Sequence, residues 1–131
     1  MLSSIFFPYF HKRKGLFHMA FIDQEVIHAK NKAGGKGEIT IAKVLSPTEL
    51  DGKADMFAKV TIPPGCSIGV HEHHGNTETY HILQGKALYN DNGNEVEIGV
   101  GTTTFCPDGE KHGIENNGQD DLVFMALILR K

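Results

Sequence analysis

The sequence predicts an all-β domain, a sandwich or barrel of short strands. Apolar residues recur at every second position in several runs, and those runs are separated by Gly, Pro and Asn clusters of the kind that turn a chain. No long segment carries a helical period, and strands with turns but without helices close into a sandwich or a barrel.

The elements follow in order from Met19. Gly34-Gly35-Lys36-Gly37 reads as a flexible break, and Glu38 to Leu45 as the first convincing strand. Ser46-Pro47-Thr48-Glu49 predicts a single capped helical turn, with Ser at the cap and Pro at the first position. Ala54, Met56, Ala58, Val60 and Ile62 then alternate with Asp55, Phe57, Lys59 and Thr61, a strand with one wet face that Pro63-Pro64-Gly65 ends. Ala87 to Asn90 and Glu95 to Ile98 flank Asp91-Asn92-Gly93-Asn94, whose Asn-Gly pair is a strong hairpin signal. Leu122 to Leu129 closes the chain as a strand apolar on both faces, so both are expected to be covered, one by the barrel and the other by N-terminal strands or a second subunit.

With 131 residues there is chain for one core of ordinary size, expected over residues 19–131. A net charge of −3 and the lack of long basic runs argue against a nucleic-acid partner. No run approaches the roughly 20 apolar residues that span a bilayer, so no membrane partner is expected. Cys66 and Cys106 are too few for a disulfide framework; both are expected to be buried reduced thiols, near each other at the barrel mouth, in a reducing cytoplasm.

Residues 1–18 stand apart. Ile5, Phe6, Phe7, Tyr9 and Phe10 precede His11, Lys12, Arg13 and Lys14, which is the reverse of a secretory signal, and Pro8 interrupts any amphipathic anchor. Lys14-Gly15 codons form a purine-rich stretch upstream of Met19, as a bacterial ribosome-binding site would. Residues 1–18 are therefore expected to be a non-structural extension, with the natural start at Met19.

The chemistry lies between Gly65 and Asn116. His71 and His73 occupy positions i and i+2, which within a strand present two imidazoles on one face. A turn at Gly75-Asn76 follows, then Glu78 at the head of the apolar run Tyr80-His81-Ile82-Leu83. Pro107-Asp108-Gly109 is a turn sequence aiming His112 back toward the same place. With eight histidines, one His-x-His is expected by accident; the full set at this spacing is not. Three imidazoles and one carboxylate are a common way to hold a catalytic transition metal.

These residues resemble the two motifs of small single-domain cupins. Gly65, His71, His73, Glu78 and Gly85 match every fixed position of the first motif, G-x5-H-x-H-x3,4-E-x6-G. Gly101, Pro107, Gly109, His112 and Asn116 match the second, G-x5-P-x-G-x2-H-x3-N, and fifteen residues separate the two. The resemblance implies a double-stranded β-helix, or jelly roll. It also implies one divalent transition metal per chain (Mn, Fe, Co, Ni, Cu or Zn) on His71, His73, Glu78 and His112, and a homodimer.

A divalent ion with three neutral imidazoles and one carboxylate keeps a net positive charge and two open positions. Such a centre suits a small ligand with anionic oxygens, such as a hydroxy acid, keto acid, enediolate or catechol-like diol. The expected function is therefore a metal-dependent enzyme of dioxygenase, isomerase or lyase type acting on a small oxygen-rich metabolite. The alternative is a non-catalytic cupin that binds a small molecule or sugar. Tyr80 shares the parity of Glu78 and is the candidate catalytic acid or hydrogen-bond donor. His81, His74 and Glu72 have the wrong parity and are expected at the surface. Phe57, Tyr89, Phe105, Phe124 and Met125 are expected in the core, and Asn116 is expected to fix a turn through its amide.

Overall fold

The computed structural model describes residues 20–131, so the expectation for residues 1–18 and a start at Met19 lies outside the described residues. Among the described residues ten strands lie in two antiparallel sheets. They are β1 Glu25–Lys30, β2 Glu38–Lys43, β3 Ala54–Ile62, β4 Ser67–Glu72, β5 Asn76–Gln84, β6 Lys86–Asp91, β7 Asn94–Gly99, β8 Thr103–Cys106, β9 Lys111–Glu115 and β10 Leu122–Arg130. A six-stranded sheet runs β1-β2-β3-β10-β5-β8 and a four-stranded sheet runs β4-β9-β6-β7. Most spatial neighbours are distant in sequence, as a jelly roll requires, and the core fills the space between the sheets with Ile62, Ile82, Ile114, Leu122 and Phe124, each essentially without solvent contact.

Local chemistry explains the turns. Ser46 caps α1, Pro47–Leu50, in a capping box with Glu49, whose carboxylate accepts the Ser46 N–H at 2.9 Å. Asn92 and Gly93, both at positive φ (52° and 97°), make the tight β6–β7 connection that the Asn-Gly pair predicts. Asn116 does fix its turn: its Nδ2 donates to the carbonyls of Ile62 and Asp120, each at 2.8 Å, while its Oδ1 accepts the Gly118 N–H.

Four expectations need correction. β1 is a strand that period-two reading passes over, because its inward residues are only Ile27 and Ala29 while Val26 faces out. Gly34 to Gly37 is no flexible break; it is a turn packed backbone-to-backbone on β4, where a Cβ on Gly35 would stand 2.2 Å from the Ser67 carbonyl oxygen. Phe105 is 57% exposed on the edge strand β8, not in the core. Of β10, the inner face (Leu122, Phe124, Ala126) is buried as expected, while within one chain the outer face (Val123, Met125, Leu127) is half covered and Leu129 is exposed, which leaves that face open for the expected second subunit. The two thiols are free and far apart along the barrel: Cys66 bonds to Asn116 at one end of the β4–β9 ladder, whereas Cys106 pairs with Glu78 beside the other.

Candidate metal centre

His71 stands directly across the β4–β9 ladder from His112. Strict alternation from Ile68, which faces inward, would turn His71 outward; a bulge between Ile68 and His71 inserts one residue and restores the inward aim. Val70 is thereby pushed to the surface, half exposed. His73 lies one residue past β4, yet its N–H still donates to the Glu110 carbonyl (3.0 Å) and its carbonyl accepts the Gly109 N–H (2.7 Å). The Pro107-Asp108-Gly109 turn thus holds His73 as well as delivering His112. Glu78 comes from β5, the third residue of that strand, and points into the same space.

The four side chains converge. Glu78 Oε1 lies 3.0 Å from His73 Nε2, 3.0 Å from His112 Nε2 and 3.6 Å from His71 Nε2. His73 Nε2 and His112 Nε2 are 3.2 Å apart, and one donor atom from each of the four lies within 4.8 Å of every other. Ligand bonds of about 2.1 Å at right angles would put neighbouring donors about 3.0 Å apart, so these separations suit adjacent corners around one ion. The donor chemistry fits too: imidazole nitrogen with one carboxylate suits first-row transition metals.

Each imidazole is fixed by its far nitrogen. His71 Nδ1–H donates to the Gly69 carbonyl at 2.8 Å, and His73 Nδ1–H donates to Asn76 Oδ1 at 2.8 Å. Asn76 is itself held, its Nδ2 donating to Asp55 (3.1 Å), which pairs with Arg130. Tyr89 Oη lies 2.8 Å from His112 Nδ1. With Nδ1 carrying the proton in each ring, every Nε2 lone pair faces the centre, the tautomer that ligation needs.

The electrostatics agree. In the metal-free protein burial alone would raise the Glu78 pKa, but when the imidazoles are protonated the hydrogen bonds from His112 and His71 and the charges of His112 and His73 outweigh it and bring it to about 2. Burial holds His112 below its usual value against the pull of Glu78. For His71 burial also pushes down, but Glu78 and the Gly69 carbonyl together carry it above the usual value. Cys106, next to Glu78, is pushed up to about 11 by burial and by the Glu110 and Glu78 carboxylates, so it remains a thiol and stays outside the donor set.

A family model of the cupin domain matches residues 58–128, which span β3 to β10 and all four converging side chains. The chain belongs to the cupin family. A Thermotoga maritima protein named oxalate-binding protein is 46% identical over 99 residues, covering 76% of this chain and 82% of that protein. A crystal structure of a predicted oxalate decarboxylase, also from Thermotoga maritima, superposes with a TM-score of 0.80 at 41% identity, covering 83% of this chain and 95% of that one. An uncharacterised Methanocaldococcus jannaschii protein is 31% identical over 86 residues, 66% of this chain and 69% of its own.

The centre of this cupin opens into a cavity of about 480 Å³. Its walls are mainly apolar, from β1, β2, β3 and β10, with Lys32 and Lys43 contributed from opposite ends of the β1–β2 hairpin. Tyr80 lies on the wall, 1% exposed, its ring stacked on His112 at 4.8 Å and 19°. Burial and then the Glu78 carboxylate hold its hydroxyl well above the usual tyrosine pKa, so it stays protonated. His81, His74 and Glu72 are at the surface, His74 beside Glu72 at 3.6 Å. Three contributors were not singled out from sequence: Tyr89, assigned to the core only; Asn76, read only as a turn; and Lys32, in the supposed break's flank. The parity of Tyr89 with Ala87 on an inward face was the one available signal, since a buried phenol needs a partner.

Proposed function

We propose that this protein is a metal-dependent receptor for a small dicarboxylate of the oxalate type, with His71, His73, Glu78 and His112 as ligands of one divalent transition metal. The observation that carries the reading is the convergence of these four donors, each imidazole tautomer fixed, at the base of a largely apolar cavity. A bound ion would supply a Lewis-acid centre for anionic oxygens. The chain's own residues do the rest. Ile41, Val60 and Ala126 exclude water from the cavity, and Tyr80, kept protonated, offers a hydrogen bond to a carboxylate. The 46% identical relative named for oxalate binding supports the choice of ligand.

The second reading is turnover of the bound acid, as in the lyase or dioxygenase chemistry expected from the motif, and the solved relative named a predicted oxalate decarboxylase supports it. Loss of carbon dioxide from a dicarboxylate leaves a carbanion equivalent that must take up a proton. Among the described cavity residues Glu78 is the one carboxylate, and it is engaged with three histidines; the other proton donors are Tyr80, a poor acid, and the ammonium groups of Lys32 and Lys43, so no free carboxylic acid is at hand. That favours binding over turnover. Calorimetric titration of oxalate into manganese-loaded protein should give one site per chain that disappears in metal-free protein. Oxalate binding of equal strength without metal would refute the receptor, and steady formate release would install the enzyme.

The same reading has the protein working as a homodimer in a reducing, cytoplasmic setting. The half-covered apolar outer face of β10, beside exposed Leu83 on β5, supports the first, and two free thiols support the second. Sedimentation at micromolar concentration should show a dimer; a monomer would refute it.

A further inference from the structure

The turn between β1 and β2 is built at a backbone cost. Asn31 and Ala33 sit at φ 50° and 53°, in the left-handed region that side chains disfavour, with Gly34 and Gly37 also at positive φ. The turn is clamped onto β4. Lys36 N–H donates to Ser67 Oγ and Ser67 N–H donates to the Lys36 carbonyl, both at 2.9 Å. A Cβ on Gly69 would stand 2.1 Å from the Ala33 carbonyl oxygen, as one on Gly35 would from Ser67, so backbone touches backbone on both sides. What this clamp holds in place is Lys32, on the cavity wall with His71 and close enough to act on its charge. Lys43, the other cavity lysine, is offset by Glu25 at 3.4 Å, whereas Lys32 has no ion pair among the described residues.

We propose that Lys32 is the specificity-determining residue of the cavity, selecting a doubly charged ligand over a singly charged one. The inference deepens the dicarboxylate reading and rests on it. A divalent ion and the Glu78 carboxylate leave one positive charge; a dianion turns that into one negative charge, and the Lys32 ammonium restores neutrality. A bidentate monoanion such as glycolate needs no such partner, and with it Lys32 leaves an excess positive charge. Lys32 is exposed on the cavity wall and unpaired among the described residues, so its ammonium is free to meet the second carboxylate.

The test is calorimetric titration of manganese-loaded wild type, Lys32→Gln, Lys32→Arg and the remote surface control Lys53→Gln with oxalate, malonate and glycolate. Lys32→Gln should weaken the dianion that binds by about tenfold, the scale of one charged hydrogen bond at an open site, and glycolate by less than about twofold. Lys32→Arg should recover most of the loss, Lys53→Gln should match wild type, and manganese affinity by chelator competition should be unchanged in all. Equal weakening of dianion and monoanion, or none, overturns the Lys32 proposal and leaves the receptor reading intact. Wild type that binds neither dicarboxylate overturns both. Wild type that binds malonate but not oxalate, with the Lys32 dependence preserved, removes only oxalate as the ligand.

Discussion

The Tyr89 hydroxyl sits 2.8 Å behind His112 Nδ1, on the far side of the ring from the three other converging donors. Because Nδ1 must carry a proton for Nε2 to ligate, Tyr89 acts as its acceptor and holds the ring in register. Tyr89 is buried in the core and its pKa is pushed up to about 12, first by burial, so it stays a neutral phenol. Tyr89→Phe should leave a folded barrel and weaken manganese or zinc binding by about 10- to 100-fold, the usual cost of losing such a partner. Chelator competition measures it, and wild-type affinity would show that the ring needs no such support.

A second line of support runs from the surface: Arg130 to Asp55, Asp55 to Asn76, Asn76 to His73. Asp55 is held below the usual carboxylate range by hydrogen bonds from Arg130 and then Asn76. Asn76→Ala removes the acceptor of His73 Nδ1–H and should cost metal affinity on the same scale as Tyr89→Phe. Asp55→Ala, one bond further out and open to water, should cost several-fold less. The reverse ranking would contradict a chain that acts through His73.

Much of this was legible before any coordinates, and the reason is physical. Fixed spacing of His71, His73, Glu78 and His112 encodes which side chains share a face, so the donor set could be named from parity and turn residues. Parity alone, however, assumes unbroken ladders. The bulge between Ile68 and His71 leaves no mark in local pattern beyond Gly69, and it is what lets Ile68 and His71 face inward together. Lys32 and Asn76 were hidden for a different reason. Each works through a contact with a residue distant in space or carried by an irregular turn, and neither hydrophobic period nor propensity reports on that. Phe105 failed because an edge strand can leave an aromatic outside while its sequence looks like that of a core strand.

The metal-free protein should lose stability in acid in two stages. His112 is below its usual 6.5, so the unfolded chain binds more protons there and stability falls as pH drops through that value; His71, raised, acts in the opposite sense and blunts the loss. Glu78 moves from 4.5 to about 2, so its contribution is complete above pH 4.5 and disappears between pH 4.5 and 2. Urea midpoints of metal-free protein should therefore be shallow in pH near 6.5 and fall steeply below 4.5. Glu78→Gln should flatten the steep part; an unchanged profile in that variant would assign the acid limb to other groups. In loaded protein the stabilisation by metal should shrink as pH falls through the imidazole range, since protons compete for the same lone pairs.

Gly69 tests the clamp on the β1–β2 turn independently of any ligand. Its φ is one any residue adopts, so Gly69→Ala brings no backbone strain and only the clash of the new Cβ with the Ala33 carbonyl, 2.1 Å away. Rigid backbone on both sides leaves no flexible group to yield, and overpacking of this kind costs about 1–3 kcal/mol. The thermal midpoint should drop by several degrees. Because the turn must then shift away from β4, Lys32 moves with it, and dicarboxylate affinity should fall alongside stability; metal affinity should fall as well wherever β4 yields instead, since the Gly69 carbonyl accepts the His71 Nδ1–H. Gly75→Ala is the contrasting variant: it has open space around it but a φ of +79°, so any loss there is strain alone and should leave ligand selectivity untouched. A Gly69→Ala protein as stable as wild type would mean that the turn is free to lift, and with it that Lys32 is not held over the centre.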